Sequence, residues 1–443
     1  MARMGLASLG LAAALETQWF QQPIDHFGGH AGSFAQRYLV DKTKVHNTGP
    51  LLFFCGNEGD VEVFANFSGF LGEAADALSG RLVFAEHRFY GRSLPFGAAF
   101  TAQQAEYLTV EQALEDYAHL IRFLGDSTRV VVFGGSYGGM LSTWMRARYP
   151  SLVFAAVASS APLHFDRNGA FFGLATAAAE ATAGCAAAAR RSFAAALVAS
   201  KSELQSAFGL CSADFELDEL VLWARNAFVT MAMGDYPYAQ DLFGQGLPAW
   251  PLRRACRLLS ETQLSAPRAL GKAVGSYYNA TGGVRCHSIS AEYRDCADQT
   301  GCGAGASPWG RAWDAEACRQ IVYFTPTDNV TDMFPPRPWG PEELGSYCKK
   351  HWDIQPQSEW FRPWWSAVEK SSRIIFTNGL SDPWRGGGVL ESLSSTLVAL
   401  HVLGGAHIYD LAASHPQDLP AVRDVRQRVI SLLRTWLSEQ VIV

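Results

Sequence analysis

The feature that most constrains the fold of this chain is a serine flanked by glycines, at the junction of a strand pattern and a helix pattern. Residues 130–133 are three valines and a phenylalanine, and they lead directly into Gly-Gly-Ser-Tyr-Gly-Gly at residues 134–139. A helical pattern follows over residues 140–149 and stops at Pro150. Only residues without a Cβ let a strand and a helix approach each other closely around a strained turn. The pattern predicts a nucleophile elbow that exposes the hydroxyl of Ser136 beyond a buried strand.

The competing interpretation of this stretch is a glycine-rich turn that packs tightly without any chemical role. The chain has 41 glycines, so the short G-x-S-x-G pattern has little specificity by itself. The strand pattern before it and the helix pattern after it favour the nucleophile.

The size and charge of the chain exclude several classes of protein. Its 443 residues are enough for one large domain with an insertion or for two domains. Hydrophobic residues make up 48% and charged residues 18%, as in ordinary globular proteins. A net charge of −6 without a basic block argues against a nucleic-acid partner. No run of 18 apolar residues occurs, so we expect no membrane-spanning helix.

Nine cysteines provide a second constraint. Cys55 lies alone in an apolar run, and we expect a buried free thiol there. The other eight lie in the middle of the chain and predict four disulfides in an oxidising compartment, with the pairing left open. A zinc site is the alternative, but no C-x-x-C pair occurs and Cys296 and Cys302 are six residues apart. We therefore expect no metal and no other cofactor. The eight are Cys185, Cys211, Cys256, Cys286, Cys296, Cys302, Cys318 and Cys348.

Glycosylation sequons agree with an oxidising compartment. Three N-x-[ST] patterns begin at Asn66, Asn279 and Asn329. Residues 1–15 contain an early arginine, a short apolar run and three consecutive alanines, which is typical of a minimal signal peptide or its remnant. These features predict the secretory pathway, with the protein in lysosomes or other vesicles or secreted.

Strand patterns alternate with helix patterns in two separate parts of the chain, which predicts an α/β fold with a parallel sheet. An Ala-rich helical region and all eight clustered cysteines lie between these parts. We interpret residues 16–162 and 366–443 as an α/β-hydrolase core and residues 163–365 as an inserted, mostly helical cap stapled by disulfides. The later strand patterns are at residues 51–55, 82–86, 154–157, 373–377 and 397–403.

Two loops after late strands supply partners for the serine. In α/β-hydrolases the acid and the histidine follow the nucleophile in chain order. Asp382 follows one late strand and His407 follows the next. We assign Ser136 as nucleophile, His407 as general base and Asp382 as the acid that orients the imidazole. Asp382 precedes a proline and is also a common turn opener, while His401 and His415 compete with His407 for the role of base.

The loop after the first buried strand is the second candidate for oxyanion binding. Residues 56–59 form a Gly-flanked loop at the carboxyl end of that strand, where ligands bind in open α/β sheets. We expect the oxyanion hole to combine Tyr137, whose N–H follows the nucleophile, with Asn57 from this loop. A simple turn between strand and helix explains residues 56–59 equally well.

Taken together, these motifs identify a family. They are residues 20–22 (Phe-Gln-Gln), 25–27 (Asp-His-Phe), 56–60 (Gly-Asn-Glu-Gly-Asp), 85–91 (Ala-Glu-His-Arg-Phe-Tyr-Gly), 235–238 (Asp-Tyr-Pro-Tyr), 332–334 (Asp-Met-Phe), 382–384 (Asp-Pro-Trp) and 405–407 (Gly-Ala-His), with the serine elbow. The chain resembles the lysosomal prolyl serine peptidases, which include dipeptidyl peptidase II, Pro-Xaa carboxypeptidase and thymus-specific serine protease. The resemblance runs almost from end to end.

Within this family the chain is most similar to the dipeptidyl peptidase II branch, on residues 296–298, 311–314, 329–335 and 413–416. That resemblance implies an α/β-hydrolase core with a helical cap, and removal of N-terminal dipeptides with proline or alanine in the penultimate position. It implies peptide substrates with a free N-terminus, a lysosomal or vesicular setting and a homodimer. It also implies that Asp332 holds the substrate ammonium group. Without the resemblance, Asp332 would be interpreted as an ordinary loop acid.

One departure from the family pattern bears on the choice of activity. Many members continue the catalytic histidine as His-His-Leu-Asp-Leu-Arg, but residues 407–412 here are His-Ile-Tyr-Asp-Leu-Ala. A C-terminal exopeptidase needs cations to bind the substrate carboxylate, and Ile408 and Ala412 remove two candidates. We therefore expect a serine dipeptidyl peptidase. The alternatives are a Pro-Xaa carboxypeptidase and a catalytically silent hydrolase-like binding protein.

Overall fold

The computed structural model describes residues 14–46, 48–97, 100–125, 129–244, 246–302 and 309–439. Residues 1–13, which make up most of the predicted signal-peptide remnant, lie outside the described residues. Across the described part of the chain, no helix combines the length and apolarity needed to span a bilayer.

The described strands form one eight-stranded mixed sheet in the order β1-β2-β4-β3-β5-β6-β7-β8. Strand β2 pairs antiparallel with β1 and β4, and the remaining neighbours pair in parallel. The crossovers bring the carboxyl ends of β3, β5, β7 and β8 to one edge of the sheet. The strands are β1 Leu15–Pro23, β2 Ser33–Asp41, β3 Leu51–Cys55, β4 Arg81–Ala85, β5 Val130–Gly135, β6 Ala155–Ser159, β7 Ile374–Gly379 and β8 Leu397–Val402.

The central strands are apolar on both faces because helices cover both sides of the sheet. Alternate residues enter different cores: Phe53 and Val132 join one cluster of buried side chains, while Phe54 and Val131 join the other. All four side chains are buried. This explains why the strand patterns of β3 and β5 are continuous rather than alternating.

Helices α1–α4 lie between the early strands, α5–α14 lie between β6 and β7, and α15 follows β8. They are α1 Val61–Phe67, α2 Gly69–Leu78, α3 Val110–Leu124, α4 Tyr137–Arg148, α5 Phe171–Ala179, α6 Cys185–Val198, α7 Lys201–Phe208, α8 Leu217–Met233, α9 Pro251–Leu259, α10 Ala266–Tyr278, α11 Ile289–Glu292, α12 Gly310–Arg319, α13 Pro341–Trp352, α14 Phe361–Glu369 and α15 Pro420–Ser438.

The cysteine predictions are confirmed, and the structure supplies the pairing. The four disulfides all lie between β6 and β7, and Cys55 is a free, buried thiol in β3. Because Cys296 and Cys302 are bonded to each other, the zinc alternative fails for that pair. The pairs are Cys185–Cys256, Cys211–Cys286, Cys296–Cys302 and Cys318–Cys348.

The strand order, with a sharp strand-to-helix turn after β5, is that of an α/β-hydrolase, as expected from the sequence. Helix α4 begins at Tyr137, three residues before the predicted helical run. Of the four glycines around the serine, Gly134 and Gly135 end β5, and Gly138 and Gly139 lie in the first turn of the helix. The division into a core and a cap at residues 163 and 365 stays a prediction.

Candidate active site

Ser136 occupies a strained backbone position at the turn between β5 and α4. Its φ of 56° and ψ of −126° are rare for a residue with a side chain. The glycines around it are required by close approach. A Cβ on Gly134 would lie 1.9 Å from the backbone oxygen of Gly138, and a Cβ on Gly138 would lie 2.7 Å from that of Cys55. The turn leaves Ser136 partly exposed beside the sheet edge.

His407 and Asp382 are brought together by the loops after β8 and β7. Nδ1 of His407 lies 2.7 Å from Oδ2 of Asp382, and both side chains are buried. Since the carboxylate accepts, Nδ1 carries the proton, and Nε2 is left as the basic nitrogen. The other oxygen of Asp382 accepts from the backbone N–H of Trp384 at 2.9 Å. This arrangement fixes both the tautomer and the orientation of the imidazole.

The backbone around His407 is held by residues from α8 and the segment after it. The N–H of His407 donates to the carbonyl of Met233, the last residue of α8, at 3.1 Å. The Tyr236 hydroxyl donates to the carbonyl of His407. The next N–H, from Ile408, donates to Oγ of Ser160 at 2.9 Å. These bonds hold the histidine loop between β6 and the helical segment.

Ser136 and His407 line the same cavity, which has a volume of about 470 Å³. Aromatic side chains make up much of its wall. Tyr323 and Trp384 pack with ring centroids 5.1 Å apart. Such a wall can bury apolar groups of a ligand. The aromatic residues in its wall are Phe64, Tyr137, Phe243, Tyr277, Trp309, Trp313, Tyr323 and Trp384.

The charged residues in this wall are acidic. They are Glu58, Asp60, Asp241 and Asp298, and no lysine or arginine lines the cavity within the described ranges. Asp60 forms an ion pair with Arg37. Burial raises the pKa of Asp298, which accepts hydrogen bonds from neutral donors only. The cavity therefore suits a positively charged group better than a negatively charged one.

The two oxyanion candidates come from the helix after the elbow and from the loop after β3. Tyr137 is the first residue of α4, and its N–H is one of those that a helix leaves without an intrahelical acceptor. The side-chain amide of Asn57 donates to the carbonyl of Gly135 at 2.7 Å. This bond uses one of the two N–H groups of that amide, so the backbone N–H of Asn57 and the second side-chain N–H are the donors left for an oxyanion. Both assignments stay predictions.

Asp332 lies outside the residues that line the cavity. Its side chain is buried, and its two oxygens accept from the backbone N–H groups of Phe334 at 2.8 Å and Asp328 at 2.9 Å. The carboxylate thus holds its own loop together. The structure does not place it in the cavity wall with Ser136, and its role as ammonium anchor stays a prediction.

The three sequons differ in accessibility. Asn66 and Asn329 are exposed. The Asn279 side chain is engaged with Val284: its Nδ2 donates to the carbonyl at 3.1 Å and its Oδ1 accepts from the N–H at 2.9 Å. Glycosylation stays a prediction at all three positions, with Asn279 the least accessible amide.

Sequence reasoning missed a buried network behind the elbow. Glu316 of α12 shares hydrogen bonds with the hydroxyls of Tyr137 and Tyr90, and Tyr137 also contacts Nε2 of His87 at 3.1 Å. Glu316 is the second acid of an ordinary helical stretch, 179 residues beyond Tyr137. No local pattern marks it, because its partners come from distant parts of the chain.

Comparison with known proteins shows the family. The profile of serine carboxypeptidase S28 matches residues 22–429, nearly the whole chain. The chain belongs to the S28 serine peptidases. The lysosomal Pro-X carboxypeptidase of Homo sapiens is 37% identical over 448 residues, which cover 95% of this chain and 88% of that enzyme. The thymus-specific serine protease of Homo sapiens is 28% identical, over 97% and 88% of the two chains.

Membership of S28 makes this chain a serine peptidase with an α/β-hydrolase fold, in agreement with the resemblance stated from its motifs. Among solved structures, an acetylester hydrolase from Corynebacterium glutamicum covers 98% of this chain at 13% identity and a TM-score of 0.44. Because that TM-score is low, the fold assignment rests on the strand order and on the family match. Which S28 specificity this chain has is a separate question.

Proposed function

We propose that the protein is a serine exopeptidase that releases N-terminal dipeptides with proline or alanine in the penultimate position. The observation that carries the proposal is the charge of the cavity around Ser136. Its wall has four carboxylates and, within the described ranges, no lysine or arginine. A substrate with a free ammonium group is attracted to such a cavity, whereas a substrate with a free carboxylate is repelled.

The reaction follows from the proposed roles of four residues. Ser136 Oγ attacks the carbonyl carbon of the second substrate residue, while Nε2 of His407 takes the hydroxyl proton. The N–H of Tyr137 stabilises the oxyanion. The intermediate then expels the amine of the third residue, which takes the proton from His407. Water, deprotonated by the same nitrogen, cleaves the acyl-enzyme and releases the dipeptide. Asp382 holds the imidazole and stabilises its cationic form.

The aromatic wall supports the proposed preference for a small penultimate residue. Tyr323 and Trp384 stand in the wall with Pro162 and Ser136. A proline ring buries apolar area against such faces without losing side-chain rotamer freedom. Alanine fits the same space with less contact.

A Pro-Xaa carboxypeptidase is the second candidate, because a relative with that name is 37% identical to the chain. Its substrate would place a free C-terminal carboxylate in the site, on the residue that is released. Against it stand the acidic wall and the apolar residues Ile408 and Ala412, which replace a histidine and an arginine of the family pattern. The lysosomal names of the relatives support the proposal of a lysosomal or other secretory-pathway setting. A homodimer is proposed from the resemblance alone.

The test is hydrolysis of Lys-Ala and Lys-Pro chromogenic amides, each with and without an N-terminal acetyl group. We expect turnover of the free amines, with kcat/KM at least about 100-fold lower for the acetylated forms because they lack the N-terminal α-ammonium group. The variant Ser136→Ala should lose both activities. Release of the C-terminal residue from a Pro-Xaa peptide, with no anilide turnover, would assign a carboxypeptidase instead. Silence on every substrate would support a binding protein.

A further inference from the structure

We propose that Glu58 is the residue that binds the free ammonium group of the substrate. The inference rests on the proposed dipeptidyl peptidase function and names the specificity-determining residue of that site. It differs from the assignment implied by the family resemblance, which gives this part to Asp332.

Glu58 is held in a fixed position relative to the nucleophile. It lies on the loop directly after β3, next to Asn57. The Asn57 side chain donates to the carbonyl of Gly135, the residue before Ser136, at 2.7 Å. One hydrogen bond therefore ties the Glu58 loop to the elbow. Glu58 and Ser136 also line the same cavity.

The carboxyl group of Glu58 has an unsatisfied atom. Its Oε2 is buried and has no hydrogen-bond partner among the described residues. Buried polar atoms without partners are uncommon and costly, and a carboxylate costs more than a neutral group. Burial also raises the pKa of this side chain. A bound ammonium group would supply both the missing donor and the missing countercharge.

The other acids near the cavity already have partners. Asp60 is paired with Arg37. Asp298 accepts from the N–H and hydroxyl of Thr300 and, at 3.0 Å, from Nε1 of Trp313.

Two further acids are less suited to the role. Asp241 is exposed, so water screens its charge. Asp332 lies outside the cavity wall, with both oxygens bonded to backbone N–H groups. Glu58, a half-buried residue, is left as the acid in the wall with a buried oxygen free for a ligand.

The experiment compares two substrates that differ only in the ammonium group, Ala-Pro-p-nitroanilide and propionyl-Pro-p-nitroanilide. Removing a charged partner should cost the Glu58→Gln variant on the order of 100-fold in kcat/KM with the first substrate. With the second substrate, which has no cation to bind, the variant should stay within about threefold of the wild type. Inhibitors should show the same difference: Glu58→Gln should raise the inhibition constant of alanyl-pyrrolidide strongly and leave that of propionyl-pyrrolidide almost unchanged.

A structural effect is separated from a binding effect by a third readout. The rate at which a small neutral organophosphonate labels Ser136 reports on the elbow and on His407 without using an ammonium group. We expect this rate to be unchanged in Glu58→Gln. The matched control is Glu62→Gln, the same chemical change four residues along and outside the cavity wall, which should behave as wild type with both substrates.

Each other outcome overturns the proposal. Equal losses with both substrates, or slower labelling, would mean that Glu58 acts on the triad or the loop. No loss with either substrate would remove it from the site. A selective loss in Asp332→Asn instead would return the role to that residue. If the wild type itself does not discriminate between the two substrates, the proposed function has failed, and that result is distinct from a failure of Glu58 alone.

Discussion

The carboxyl group of Glu316 shares a hydrogen bond with the phenol of Tyr137, the residue that follows Ser136 in the chain. Glu316 belongs to α12, in the helical segment between β6 and β7, and it also bonds to the hydroxyl of Tyr90 at 2.7 Å. The side chain of Tyr137, the oxyanion candidate, is therefore held in place by a buried acid of that helical segment. All three side chains are buried.

The hydrogen bonds around Tyr137 indicate that Glu316 is protonated. Nδ1 of His87 lies 2.7 Å from the carbonyl oxygen of Arg88, which can only accept, so Nδ1 carries the proton and Nε2 accepts. Burial lowers the pKa of His87 to about 4 and keeps the ring neutral. Tyr137 gives its one proton to Nε2, so Glu316 has to donate to Tyr137. Burial raises the pKa of Glu316 to about 8, in agreement with this pattern.

The proton on Glu316 should make the free energy of unfolding depend on pH. Between about pH 4.5 and pH 8, the folded state keeps a proton on Glu316 that the unfolded chain loses, so stability falls as pH rises. The loss amounts to at most about 5 kcal/mol. Glu316→Gln reproduces the neutral pattern at every pH. We expect it to match wild type near pH 4.5 and to exceed it at pH 8, measured by urea unfolding.

The control for this prediction is Glu342→Gln, an exposed change in the same segment, which should leave the wild-type pH dependence intact. A variant of Glu316 that loses stability equally at both pH values would show that the site needs a carboxylate. Tyr137→Phe removes the same bond from the other side and should lower kcat more than it raises KM, because the oxyanion site loses its support.

The pair formed by Asp382 and His407 predicts the effect of removing one charge. Asp382→Asn keeps the size of the side chain but no longer favours the tautomer with the proton on Nδ1. We expect kcat to fall about 10⁴-fold with little change in KM. Steady-state kinetics with a free-amine dipeptidyl anilide measures both. A fall of less than tenfold would mean that His407 does not depend on this acid.

The close packing of the elbow predicts a difference between two glycine substitutions. A Cβ at Gly138 would lie 2.5 Å from Oδ1 of Asn57 and 2.7 Å from the carbonyl oxygen of Cys55, and the second atom is backbone. Gly138→Ala should therefore lower the free energy of unfolding by about 1–3 kcal/mol and reduce activity. Gly275→Ala is the control, since a Cβ there meets no atom within 4 Å in helix α10.

In the control, the gain in helix propensity should raise stability by about 0.5–1 kcal/mol with activity unchanged. Urea midpoints and anilide turnover of the two variants test the prediction. Equal behaviour of both would mean that the elbow relaxes around an added methyl group.

Removing two different disulfides should affect the stability and the activity of the protein to different extents. Cys185–Cys256 closes a loop of 71 residues and Cys296–Cys302 one of 6. On chain entropy alone, their removal should cost about 4 and about 2 kcal/mol respectively. Cys302 lines the cavity, whereas Cys185 and Cys256 do not. The double alanine variant at positions 296 and 302 should therefore lose less stability and more activity than the double alanine variant at positions 185 and 256. Thermal melting and anilide kinetics of the two variants test this prediction.

The choice of His407 as the proposed catalytic histidine illustrates what local patterns can do. His401 lies in β8, where its ring bonds to the carbonyl of Leu390, and the ring of His415 packs 4.0 Å from that of Tyr238. The sequence favours His407 because, of these three histidines, it alone follows a strand within a short loop. The strand patterns could be predicted for the same reason, and the assignments of Asp382 and Ser136, which stay predictions, also rest on fewer than ten consecutive residues each.

The sequence by itself therefore determined the α/β sheet, the elbow and the order of Ser136, Asp382 and His407, because backbone sterics and apolar periodicity act between near neighbours. Only the tertiary structure decided the cysteine pairing, the bond between Glu316 and Tyr137, and the unpartnered oxygen of Glu58. These depend on contacts between distant parts of the chain, and burial, which sets the cost of a charge, exists only after those parts have packed together.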